Sequence, residues 1–191
     1  MKPHFNKNDE ILFYKYLDKA QNYYEFGSGG STYQASLRQN LKSIHSVESD
    51  LLWHNKLKKM VNEDKRIEFI YVDMKTVPNT WGNPGPNSSI NDWIAYSDTI
   101  CRIESAIADQ IDLILIDGRF RVACALKCFD IINDNCYVIF DDFLNRPGYH
   151  IVLDYYEIID QTSDNVMVVL KKKKCAKPSR NIIHKYEKIS S

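Results

Sequence analysis

Three acidic residues, Asp117 in "LILIDGRF" and the pair Asp141–Asp142 in "YVIFDDF", each follow a short apolar run. If those runs are neighbouring parallel strands, the carboxylates emerge together on one sheet edge, where like charges disfavour joint ionisation. Such a group needs a cation, protons or positive partners. One solution is Mg2+ or Mn2+, held by Asp117, Asp141 and Asp142 through carboxylate oxygen and water. The other is carried by the chain itself, because Arg119, Arg121 and Arg146 lie close in sequence to the same acids. Asp142 or His150 then serves as general base, while an arginine holds an anionic substrate. Each residue also has a plainer role. Asp117 is a good helix cap, Arg119 and Arg121 can be solvated, and Tyr149 and His150 are at home in a core.

A second constellation is "YYEFGSGGSTYQ", Tyr23–Gln34, with an apolar run before its glycines and helical composition after them. A strand, a glycine turn and a helix start let backbone approach a ligand and offer it unpaired N–H groups. The dinucleotide fingerprint G-x-G-x-x-G, counted from Gly27, requires glycine at Thr32 and is absent. What stands there is Glu25-x-Gly27-x-Gly29-x-Ser31. This stretch resembles motif I of the class I S-adenosylmethionine-dependent methyltransferases, E/D-x-G-x-G-x-G, with Ser31 at the third glycine position. The resemblance extends from Tyr24 to Lys171 in strand order and motif spacing. It implies S-adenosylmethionine as cofactor, bound by Glu25, Gly27, Ser28, Gly29 and Ser31, with Asp117 at its reacting end. Glu48, roughly twenty residues on, would take the ribose hydroxyls, and Asp73 would face the adenine amino group.

Two narrower likenesses concern the reacting end. Asp117 with Asp141–Asp142 is similar to the metal-holding set of catechol- and sugar-modifying O-methyltransferases, although "GRFR" after Asp117 departs from the catechol pattern. "DGRFRVACAL", "DDFLNRPGYH" and "TWGNPG" together resemble small methyltransferase-like proteins encoded near polysaccharide genes. That group carries His where Asp141 stands, which favours the arginine solution over the metal.

The elements that must position these residues follow from alternating patterns. "NYYEF", "SIHSVE", "RIEFIYVD", "IDLILID", "CYVIF", "YEIID" and "VMVVLKK" read as strands, most of them separated by helical stretches such as "TYQASLRQNL", "SDLLWHNKLKKMVNE" and "RVACALKCFDII". The expected class is α/β: a Rossmann-like methyltransferase fold with a mostly parallel seven-stranded sheet, one antiparallel edge strand and helices on both faces. A single domain spans 1–191, with an N-terminal helix over 8–21 capped by Asn8. The Pro-, Gly- and Asn-rich loop 74–92 follows the third strand and should cover the substrate, with Trp81, Arg121, Arg146 and Tyr149 contacting it. The basic tail 171–191 begins with Lys171–Lys174, a run expected to shield an edge strand from pairing.

Bulk properties exclude other classes. Lys+Arg and Asp+Glu are 25 each and the formal charge is +0 at pH 7, which gives no electrostatic footprint for nucleic acid, so that partner ranks low. No apolar run approaches the ~20 residues of a membrane span, and "MKPHFNKNDE" has no signal-peptide core. The cysteines (Cys101, Cys124, Cys128, Cys136 and Cys175) contain no C-x-x-C pair and read as reduced thiols of a cytoplasmic protein. Heavy use of Lys, Asn, Ile and Tyr fits an AT-rich genome, a viral one included, in which case the cytoplasm is the host's. The expected activity is methyl transfer to a sugar hydroxyl or amine in glycan synthesis, on a small-molecule or nucleotide-sugar acceptor, with a homodimer compatible. The alternatives are a non-catalytic nucleotide- or sugar-binding module on the same fold, and methylation of another small molecule or a protein.

Overall fold

"LILI" and "YVIF" carry no charged side chain and, apart from Tyr137, nothing polar to turn towards water, so both are buried on both faces beyond that residue. They form β4 (Leu113–Ile116) and β5 (Tyr137–Phe140), and only Tyr137 reaches solvent. The computed structural model describes residues 1–61, 64–164 and 166–190. With β1 (Asn22–Phe26), β2 (Ser43–Glu48), β3 (Ile67–Tyr71), β6 (Tyr156–Gln161) and β7 (Val168–Lys172), these strands make one seven-stranded sheet. Its order is β3-β2-β1-β4-β5-β7-β6. The first five strands are mutually parallel, and β7 runs antiparallel to both β5 and β6. The β6–β7 hairpin forms as the sequence predicts. Its returning strand, β7, is the antiparallel one and sits one place in from the edge. The outer strand, β6, is blunted by an irregularity between Ile158 and Asp160.

Both faces of the sheet are covered. α1 (Lys7–Leu17) and α2 (Gly30–Ser36) pack Leu12, Phe13, Leu17 and Ala35 on Tyr23, Ile44, Leu115 and Ile139. α3 (Leu51–Met60) sets His54 edge-on against Phe69 and Tyr71. On the opposite face lie α4 (Ile90–Ser97), a 3-10 turn over Thr99–Arg102, and α6 (Arg121–Ile131). A 3-10 segment over Pro147–Asp154 and α7 (Arg180–Tyr186) complete that layer, and α5 (Ser105–Ala108) lies in the β3–β4 connection. α6 is buried nearly all round, as an apolar helix between a sheet and further helices must be.

Several boundaries move for identifiable reasons. Asn6, not Asn8, caps α1, accepting the N–H groups of Asn8 and Asp9 at 2.8 and 3.0 Å. That helix stops at Leu17 instead of 21, because Asp112 captures the N–H groups of Gln21 and Asn22 and draws the chain into β1. α2 ends at Ser36 because Arg66 takes the carbonyls of Ser36, Arg38 and Leu41, satisfying them without further helix. Lys171–Lys173 do not shield an edge. They bind the carbonyls of Asp134, Asn135, Ile132 and Leu153, where α6 and the second 3-10 segment finish. The expected ends of α3 at Asn62–Glu63 and of the tail at Ser191, and Asn165 in the hairpin, lie outside the described residues. Among the described residues no helix is long and apolar enough to cross a membrane.

Candidate functional site

The three glycines after β1 answer three different constraints. Gly27 has φ +99, and a Cβ there would lie 2.8 Å from the Cα of Gly118, so the ends of β1 and β4 touch backbone to backbone. A Cβ on Gly30 would lie 2.0 Å from the carbonyl oxygen of Lys2, because the N-terminal segment runs across it. Only Gly29 has open space beside it.

Glu25 does not face that space. Its carboxylate is fully buried and accepts hydroxyl hydrogens from Tyr23 at 2.8 Å, Ser31 and Ser46 at 2.7 Å, and Thr32. Burial pushes its pKa up, and the hydroxyls counter this. The expected cofactor contacts of Glu25 and Ser31 are therefore corrected: they tie β1 to β2 and to the start of α2. Ser28 also turns inward, its Oγ lying 2.6 Å from Ser46 Oγ, while its carbonyl accepts the Trp53 indole N–H at 2.9 Å. The signal for this network is Ser46, a polar residue in a buried strand and in direct register with Glu25.

Glu48 ends β2 where the sequence places it. It is buried, and its Oε1 accepts the N–H groups of Ser49 and Asp50 at 2.7 and 2.8 Å. Its Oε2 has no protein partner among the described residues. Burial raises its pKa to about 7 against these two donors. Asp73 differs from expectation. It is solvent-exposed and paired with Lys75, which holds its carboxyl below the usual range. It lines a separate cleft of about 570 Å3 with His45, Tyr71, Thr99 and Arg102, to which no residue of the glycine turn contributes.

The loop after β3 folds back over the strand ends. Ser49 Oγ donates to the Gly82 carbonyl at 3.1 Å, and Arg119 Nε donates to the Trp81 carbonyl at 2.9 Å. The Trp81 indole is 72% exposed and meets only the His4 ring in an aromatic contact, at 5.1 Å, among the described residues.

At the ends of β4 and β5 the structure gathers Asp117, Asp141 and Asp142 as expected, and places Arg121 between them. Its guanidinium lies 3.1 Å from Asp117, 3.3 Å from Asp141 and 3.4 Å from Asp142, and it also binds the carbonyls of Gly118 and Asp141. Arg146 clips Asp142 from outside at 2.6 Å and donates to the Tyr149 hydroxyl at 3.0 Å. The expected metal set therefore does not fit a divalent ion: all three carboxylates already face one guanidinium. No His/Cys/Asp/Glu group among the described residues has metal-holding geometry.

Arg121 is buried and spent on the carboxylates, so the substrate contact expected of it is corrected to a positioning role. Although burial disfavours its charge, Asp117 and Asp141 hold it charged. Burial, with Asp141 and Asp142 nearby, pushes Asp117 well above the usual carboxylate range; Arg121 offsets this only in part. Tyr149 is buried on Phe140 and serves Arg146. His150 packs on Phe143, with Nε2 buried and unpartnered, and no hydrogen bond or ion pair joins it to Asp142. Its expected role as base is not supported by this placement. Phe120 and Asp142 both adopt left-handed backbone, φ +53 and +56, at the two strand ends that form the site.

No protein-family model and no curated protein matches the sequence. Solved structures do match. A methyltransferase-like protein from Silicibacter pomeroyi superposes with a TM-score of 0.83 at 22% identity, covering 100% of this chain and 98% of that one. The fibrillarin pre-rRNA processing protein of Methanococcus jannaschii gives 0.53 at 13% identity, over 82% of this chain and 68% of its own. The tRNA methyltransferase TrmK of B. subtilis gives 0.52 at 12%, over 88% and 67%. Likeness at these identities establishes architecture, and the architecture is the Rossmann-like methyltransferase fold.

Proposed function

We propose that this chain is an S-adenosylmethionine-dependent methyltransferase acting on a sugar hydroxyl or amine of a small-molecule or nucleotide-sugar acceptor, in glycan synthesis in a reducing cytoplasm. The observation that carries the reading is Glu48, a buried carboxylate with one unpartnered oxygen, one strand away from the open Gly29. A ribose offers two adjacent hydroxyl donors to such an oxygen, and the glycine turn leaves room for the rest of the nucleoside. When bound, the cofactor supplies a methyl group already activated by its sulfonium, so the protein must chiefly align an acceptor and take its proton.

Asp142 suits the second task. It is partly exposed, held by Arg146 from one side and Arg121 from the other, and emerges at the carboxyl end of β5. Arg121 keeps the three carboxylates together without a metal ion, and Asp117 accepts its guanidinium N–H at 3.1 Å at the end of β4. Arg119 and Arg146 bring guanidinium N–H donors of the kind that bind the phosphates of a nucleotide sugar. Free thiols at all five cysteines agree with a reducing compartment.

Calorimetry with S-adenosylmethionine, S-adenosylhomocysteine and NAD tests the donor site. Both sulfur nucleotides should bind and NAD should not. Binding of neither sulfur nucleotide overturns the reading.

A further inference from the structure

The peptide Trp81–Gly82 makes two contacts that its own loop does not require. Its consecutive carbonyls accept hydrogen bonds from Arg119, after β4, and from Ser49, after β2. Those two strands flank β1, so their ends lie roughly 10 Å apart. The peptide therefore crosses the end of β1, over the glycine turn. A Cβ on Gly82 would lie 2.9 Å from Ser49 Oγ and 3.7 Å from Glu48 Oε1, so the tip lies close beside Ser49 and next to the carboxylate assigned to the ribose. The loop reaches this position through left-handed backbone at Lys75, Asn79, Trp81 and Gly82, three of them not glycine.

We propose that the Trp81–Gly82 peptide is a built-in occupant of the nucleoside subsite, and that Ser49 is a ligand donor that exchanges the Gly82 carbonyl for an oxygen of the adenosine ribose. The proposal rests on the donor-site assignment above and adds a gate to it. The Gly82 carbonyl imitates a ribose oxygen towards Ser49, and the tip stands beside Glu48 until a nucleoside competes for the same place. The tip is replaced by the ligand in one exchange, and the Trp81 carbonyl leaves Arg119 with it.

Rates separate the two parts of the idea. Trp53, whose indole N–H binds the Ser28 carbonyl of the glycine turn, reports S-adenosylhomocysteine binding by stopped-flow fluorescence. Gly82→Val cannot keep φ +73 beside Ser49 and so lifts the tip without changing either donor. It should speed association roughly tenfold, the factor by which a mostly closed population slows entry, and leave dissociation unchanged. Ser49→Ala should speed both association and dissociation. An association rate equal to wild type in both variants overturns the gate while the donor site stands. Unchanged dissociation in Ser49→Ala overturns Ser49 as ligand donor. If neither wild type nor Gly82→Val binds the nucleotide, the donor-site reading falls, and the gate with it.

Discussion

Glu48 links the site to pH in two opposite ways. Its folded pKa of about 7 exceeds the ordinary value of 4.5, so the folded protein holds this proton more tightly than the unfolded chain does. The stability this confers is fully present below about pH 4.5 and is lost as pH rises through 7, up to about 3 kcal/mol. Glu48→Gln should flatten that slope, which urea denaturation across the interval will measure; an unchanged slope assigns the titration elsewhere. Nucleotide affinity should run the other way in the wild type, rising towards pH 7 as the carboxylate ionises to accept ribose hydroxyls. Spacing made Glu25 and Glu48 look equally suited to a ligand. What separates them is the register of β1 on β2, which sets Ser46 against Glu25 and turns that acid inward. Arg119 and Arg121 pose the same difficulty. Left-handed Phe120 starts α6 so that Arg121 faces the carboxylates and Arg119 the loop, and no sequence pattern announces that turn.

The glycine turn makes a prediction at the level of elements. Gly30→Ala places a methyl group on the Lys2 carbonyl, so the N-terminal segment must lift, at about 1–3 kcal/mol. Limited proteolysis should then cut before Asn6, whereas Gly29→Ala, with open space beside it, should leave both stability and cleavage unchanged. Equal behaviour of the two variants would contradict the assignment of the glycines. The long apolar runs made the strands legible, because burial on both faces leaves a continuous signature. The short helices α4, α5 and α7 were not. α7 has no buried residue of its own and is held by Ile182, Ile183 and Tyr186 packing on the core and by Glu187, which follows it and binds Lys127 at 2.5 Å. Such a helix is made by its neighbours, and its local sequence carries little periodic signal.

For the molecule as a whole, Lys127 is the joint between the end of α4, α6 and α7. Its buried ammonium binds Ser97 at 2.8 Å, Asp98 at 2.6 Å and Glu187. Lys127→Met strands two carboxylates and should cost about 3–5 kcal/mol, with a lower thermal midpoint. Adding Glu187→Leu should recover part of the loss, and no recovery would mean that packing, not charge, holds α7. The damage should reach the site, because Ser190, beyond α7, lies against it: its carbonyl accepts the Phe120 N–H at the start of α6. The placing of β7 between β5 and β6 has a consequence for the way the chain is born. As residues leave the ribosome, β5 is complete long before its neighbour exists, and β6 has nothing to join until β7 arrives. Through that interval the nascent chain shows the apolar edge of Val138–Phe140, the kind of surface on which unfinished chains stick to one another. Speed of synthesis across the last strand, and a chaperone's grip until it is made, therefore bear on how much of this protein a cell obtains.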